Sequence, residues 1–138
     1  MSALVIDGSV TLGFLLPDEQ DKLSVQALRV MQEGVPVFAP SHWPIEVANG
    51  LIMAERRKRS SPAETHDALS IAQSLPVTVD QETAARLSDT TALARQYGLT
   101  IYDAAYLELA MRRGAKLATN DRALVKAAKA SGVAVFAG

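Results

Sequence analysis

The chain predicts an α/β fold: a central parallel sheet of about five strands with helices on both faces. Three observations lead there. Short apolar runs alternate with longer helix-patterned stretches; the runs are apolar without the in-out alternation of a half-exposed strand; and Gly or Pro closes most helical stretches.

Ala3 to Ile6 is an apolar run too short for a helix, suited to a strand buried on both faces, and it ends on Asp7. Ser9 is placed to cap a helix through Val10, Leu12, Phe14, Leu15 and Leu16 that Pro17 closes. A second helix is expected over 18–33, with Leu23, Ala27, Leu28 and Val30 or Met31 at helical spacing and Gly34 ending it. Val35 to Ala39 reads as the second strand. His42 to Lys58 reads as a helix with Pro44 in its first turn, Ile45, Ala48 and Ile52 along one face, and Glu46, Asn49 and Met53 on a neighbouring face. Ser61, Pro62 and Glu64 open a helix to Leu75, with Ala68, Leu69, Ile71 and Ala72 inward and His66 outward. Pro76 to Val79 is the third strand, and Gln81 to Tyr97 a helix closed by Gly98. Tyr102 to Arg113 follows, capped by Gly114; then Lys116 to Thr119 is a strand, a helix carries Leu124, Val125, Ala127 and Ala128, and Val133 to Phe136 is the last strand.

At 138 residues the chain is expected to form one domain spanning 1–138. Its hydrophobic content of 49% and charged content of 21% are ordinary for a globular protein. A formal net charge of -1 offers no global basic field, so any polyanion would have to be held locally. The absence of cysteine excludes thiol catalysis, disulfides and thiolate metal sites. No apolar run reaches the roughly 18 residues of a membrane span and the N-terminus lacks a basic leader, so a cytoplasmic location with no membrane partner is expected.

Four acids carry the functional expectation. Asp7 and Asp121 each stand where a strand ends and a helix begins, Asp103 in the first turn of a helix, and Glu46 in the first turn of another. Singly, each has an ordinary structural explanation: Thr100 with Asp103 resembles a capping box, Asn120 or Asp121 an N-cap, Asp7 a turn residue, and Glu46 an acid at a helix's positive end. In a parallel sheet, however, sites form beyond the carboxyl ends of the strands, and all four acids are expected at that edge. Carboxylates meeting there raise one another's pKa, and a divalent cation resolves the conflict. Oxygen donors without Cys or a paired His select Mg2+ or Mn2+ over Zn2+, and such ions bind phosphate oxygens and activate water for phosphodiester hydrolysis. The run Arg56, Arg57, Lys58, Arg59 has two readings: cations complementing a helix C-terminus, or a strip touching an RNA backbone.

These residues also carry a resemblance. VIDGSV with Asp7, PIEVANGL with Glu46 and Asn49, IYDAAYLELA with Asp103 and LATND with Asp121 resemble, in order and over nearly the whole chain, the acidic motifs of PIN-domain ribonucleases of the VapC toxin type. The YDAAYLELA segment is the most specific part. The resemblance implies a three-layer α/β/α sandwich, Mg2+- or Mn2+-dependent cleavage of RNA, a homodimer, and a cognate antitoxin that covers the active groove. It makes Asp7, Glu46, Asp103 and Asp121 the catalytic, metal-binding acids, with Asp7 and Asp103 first among the direct ligands, and gives Ser9, Asn49 and Thr119 supporting hydrogen bonds. Two positions depart from the pattern: Gly8, where the family more often carries a small side chain, and Asn120 beside Asp121.

Other enzyme classes find less support. A haloacid-dehalogenase-type phosphotransferase needs a second Asp two residues after the first, where this chain has Ser9; no GxxxxGK[ST] loop occurs; and His42 and His66 have no nucleophile at a recognisable spacing. The competing readings are an RNA-processing nuclease without an antitoxin and a non-catalytic module that keeps the fold.

Overall fold

The computed structural model describes residues 2–138. In chain order the elements are β1 (Leu4–Ile6), α1 (Gly8–Leu15), α2 (Lys22–Gln32), β2 (Val37–Ala39), α3 (Trp43–Arg56), α4 (Pro62–Ser74), β3 (Val77–Val79), a 3-10 turn (Ala84–Arg86), α5 (Leu87–Tyr97), α6 (Ile101–Arg113), β4 (Lys116–Ala118) and α7 (Arg122–Ala130). The strands are parallel, in the order β3-β2-β1-β4. The first two crossovers move the chain from β1 to β2 to β3, and the third returns it past β1 to β4. Right-handed crossovers therefore put α1 to α4 on one face and α5 and α6 on the other, where α7 joins α6. The result is the expected α/β/α sandwich.

Both faces of the central strand must be apolar in this arrangement, and Leu4, Val5 and Ile6 are all buried. The fifth strand is reduced to one bridge: Val135 pairs with Leu117, whose N–H donates to the Ala134 carbonyl and whose carbonyl accepts from Phe136. The segment 133–136 thus continues the sheet beyond β4, over too short a length to form a strand.

Three expected boundaries and the expected inward face of α4 are corrected. Helix α1 is capped by Asp7, whose Oδ1 accepts from the Val10 N–H at 2.9 Å, and not by Ser9. Helix α2 starts at Lys22 because Asp21 caps it, while Gln20 takes a left-handed φ of 35° and its amide donates to the Phe14 and Leu16 carbonyls. The stretch 81–86 is not α-helical: Thr83 turns inward, accepting from the Ser41 N–H. On α3 the buried face is Trp43, Val47, Leu51 and Ala54, leaving Ile45 75% exposed and Ile52 at the surface. Two apolar stripes compete on this helix. The hydrogen bond from Trp43 Nε1 to Thr11 Oγ1, 2.9 Å, sets which one turns inward. On α4 likewise Ala68 and Ala72 are buried but Ile71 is exposed.

Candidate active site

The strand order makes the gap between the carboxyl ends of β1 and β4 the switch point of the sheet, the place where sites form in such folds. Ile6 pairs with Ala118, so the next residues, Asp7 and Thr119, leave the sheet side by side. Asp7 is 4% exposed. Its Oδ1 accepts from Ser9 Oγ at 2.7 Å as well as from Val10, and its Oδ2 accepts from Thr119 Oγ1. Thr119 Oγ1 accepts in turn from the Asp121 N–H at 3.0 Å, tying the two strand ends together. Asp121 caps α7, its Oδ1 accepting from the Leu124 N–H at 3.1 Å.

Glu46 enters from the first turn of α3. Tyr106 on α6, fully buried, donates its hydroxyl to Glu46 Oε1 at 3.2 Å, and His42 Nε2 lies 3.7 Å from Oε2. A Cβ on Gly8 would stand 3.1 Å from Glu46 Cδ and nearer still to Oε1. The glycine is therefore what lets this carboxyl settle against the start of α1, which gives the sequence departure at Gly8 a local reason. Asp103 stands in the first turn of α6. The helix is capped by Thr100, whose hydroxyl accepts from the Asp103 N–H at 3.1 Å. The Asp103 carboxylate accepts no hydrogen bond from the Thr100 N–H, unlike Glu64, which accepts from the Ser61 N–H and completes a full capping box.

The electrostatics distinguish these acids from the others in the chain. Burial raises the Asp7 carboxyl above its ordinary value against the pull of Thr119, Val10 and Ser9, and the charge of Asp103 adds to the rise. Glu46 is raised by burial and then by Asp7 and Asp103, and Asp103 by burial and then by Asp121. Among the described residues no cation offsets any of the three. By contrast Arg112 holds Asp80, and Arg59 holds Asp18, below the usual carboxylate range.

The comparisons with known proteins bear on this geometry. A family model described as PIN domain matches residues 4–130. The chain belongs to the PIN-domain family. This PIN domain is 33% identical over 124 residues to Ribonuclease VapC3 of Pyrobaculum aerophilum, covering 89% of its own length and 92% of the relative's. It superposes on a crystal structure of another protein from Pyrobaculum aerophilum with a TM-score of 0.72 at 21% identity, over 91% of this chain and 84% of that one. VapBC2 from Rickettsia felis, bound to a DNA fragment from their promoter, aligns with a TM-score of 0.66 at 14% identity, over 96% of each chain. The last two are likenesses of fold.

Within this PIN domain, Asp7, Glu46, Asp103 and Asp121 meet at one edge, coupled charge to charge. Among the described residues no three acids or histidines lie close enough to chelate one ion together. The donor set nevertheless fits a hard cation: it is all carboxylate, partly desolvated and without a positive side chain, and Mg2+ keeps several waters and needs only one or two direct carboxylates. Ser9 and Thr119 hold Asp7 as expected. Asn49 is exposed and makes no hydrogen bond to the acids. Asn120, the other departure, donates to Asp21 and Ser24 at 3.3 Å, and its N–H donates to Ser9 Oγ at 3.0 Å, clamping the β4–α7 turn onto α2. Tyr106 and His42 were not foreseen; spacing four residues after His42 for Glu46, and three after Asp103 for Tyr106, was the available signal. The basic run lies at the other end of α3, with Arg56 about 15 Å along the axis from Glu46 at 1.5 Å per residue. Arg59 there binds Asp18 at 2.8 Å and Glu19 at 2.6 Å, joining α3 to the α1–α2 turn.

A raised carboxyl pKa has a definite sign for stability. Above the unfolded value of 3.8 and below the raised folded value, the folded chain keeps a proton on Asp7 that the unfolded chain has lost, so stability falls as pH rises through that window. His42, lowered from 6.5 by burial, acts oppositely just below 6.5, which makes the comparison with a single variant the clean one. The melting temperature of metal-free Asp7→Asn, measured relative to the native protein, is expected to be highest at neutral pH and to fall as pH drops toward 3.8. Thermal melts in EDTA across that range check it, and a relative melting temperature that rises as pH drops would contradict the assignment.

Proposed function

We propose that this chain is a Mg2+- or Mn2+-dependent endoribonuclease of the VapC toxin type, a single PIN domain over 1–138 that works in the cytoplasm and hydrolyses RNA phosphodiester bonds. One observation carries the proposal: partly desolvated carboxylates without a neutralising cation converge on the switch point of a parallel sheet. The relative named Ribonuclease VapC3 supports the ribonuclease reading, and neighbours described as VapBC2 and as a toxin-antitoxin complex from Klebsiella pneumoniae support a cognate antitoxin and, through the family, a homodimer.

Asp7 and Asp103 would hold the ion, with Glu46 and Asp121 flanking it. When bound, the ion supplies charge neutralisation for the phosphate and an acidified water. The chain's own residues supply orientation. Ser9, Val10 N–H and Thr119 fix both oxygens of Asp7, and Tyr106 fixes Glu46 with one oxygen turned to His42. Glu46, raised by burial and then by the charges of Asp7 and Asp103, is suited to exchange a proton at this edge. The test is cleavage of single-stranded RNA with Mg2+ or Mn2+, stopped by EDTA; cleavage that persists in EDTA would refute the metal-dependent reading.

Arg56, Arg57 and Lys58 are proposed to reach RNA phosphates several nucleotides from the cut, with Arg59 already engaged by Asp18 and Glu19. Replacing Arg56 and Arg57 together by Ala should weaken RNA binding and lower the salt slope by roughly 1 to 2. An unchanged slope would leave these residues as complements to the α3 C-terminus.

A further inference from the structure

We propose that Tyr102 is the stacking platform for an unpaired nucleobase next to the scissile phosphate, so that the substrate is single-stranded at the cut. The inference rests on the ribonuclease reading above. The chain has seven aromatic residues, and Tyr102, 63% exposed, is the only exposed one: Phe14, Trp43 and Tyr106 are buried, and Phe38, Tyr97 and Phe136 are partly buried. It stands immediately before Asp103 in the first turn of α6, at the rim of the acid cluster.

The ring is not loose. His42 meets Tyr102 edge to face with centroids 5.4 Å apart, and meets Tyr106 in the same way at 5.1 Å. Tyr106 in turn binds Glu46, so a continuous contact runs from the exposed ring to a catalytic carboxyl. Ile101, exposed, adjoins Tyr102 in the same turn of α6. An aromatic surface with an apolar flank, one side chain away from groups that would meet a phosphate, has the layout of a nucleotide subsite: base on the ring, phosphate on the acids. Stacking uses the π-face that every base has, so this subsite selects for unpaired RNA and not for sequence.

The probe is a short single-stranded RNA containing 2-aminopurine, titrated with protein in Ca2+ in place of Mn2+, reading both affinity and fluorescence quenching. Tyr102→Ala should bind roughly tenfold more weakly, without the quench and with an unchanged salt slope, whereas Tyr102→Phe should keep both affinity and quench. The proposal is overturned if Tyr102→Ala retains native affinity and quenching. It is equally overturned if the loss is confined to sedimentation, with a native dimer becoming monomeric at unchanged RNA affinity, which would make the ring a contact between copies. Mn2+ calorimetry on Tyr102→Ala should match the native protein. Absent Mn2+ binding by the native chain would count against the ribonuclease reading, and an absent quench against stacking, so the two failures separate.

Discussion

Asp103→Asn should lower metal-dependent RNA cleavage by at least roughly 10²- to 10³-fold, the loss that follows removal of a single preorganised contact to developing charge. The fold should be untouched. The helix cap at this position is made by the Thr100 hydroxyl and the Asp103 backbone N–H, neither of which the substitution alters. Removing its charge also relieves Glu46 and Asp7, both of which it raises. The expected result is thus an inactive protein that melts no lower than the native one in EDTA. Unfolding together with inactivity would make Asp103 a structural residue, and retained cleavage would remove it from the site. Asp7 is a less discriminating probe, because its carboxylate both caps α1 and binds Thr119.

The largest stability effect is expected far from the acids, at Arg112→Ala. Arg112 grips Asp80 with Nη1 and Nη2 at 3.0 and 2.8 Å and Glu108 with Nε and Nη2 at 2.9 Å each, while Glu82 stands 3.5 Å away. Asp80 is 3% and Glu108 7% exposed. Removing the guanidinium strands two buried carboxylates, a situation that costs about 3 to 5 kcal/mol. For a chain of this size that corresponds to a fall of about 10 to 15 °C in melting temperature. Adding Asp80→Asn and Glu108→Gln should recover much of it, since the cost lies in the uncompensated charges. A fall of under about 1 kcal/mol would show that water reaches the pair and that the network ties α6 to β3 only weakly.

The two regions differ in how far they could be read from residues alone. Apolar runs and glycine caps were enough for the alternation of strands and helices, because each depends on a few consecutive residues. The face of α3 was not readable: Ile45, Ala48 and Ile52 look as apolar as Trp43, Val47 and Leu51, and only the reach of Trp43 to Thr11, on the neighbouring helix α1, decides between them. The segment 133–136 had strand composition, but its neighbour β4 is only three residues long and offers one rung.

At the site, the acids were visible because each sits at a boundary between elements, where sequence signals are strongest. Their convergence was not, since it follows from β4 lying beside β1, a fact of strand order that no local pattern contains. For the same reason the part of Tyr106, a residue that reads as ordinary helix core, emerged only with the structure. The caps posed a false choice: Asp7 and Asp121 do cap their helices, yet a carboxylate oxygen that accepts one hydrogen bond keeps a further lone pair to offer, as Asp7 Oδ2 does beside Thr119.

The central claim is that the four acids form a cation site, and calorimetric titration of Mn2+ into partner-free protein, beside Asp103→Asn, tests it most directly because it needs no RNA. Saturable binding by the native protein that is lost in the variant is the predicted result. Binding that is absent in the native protein, or equal in both, would contradict it and leave these carboxylates as caps at the edge of a PIN fold.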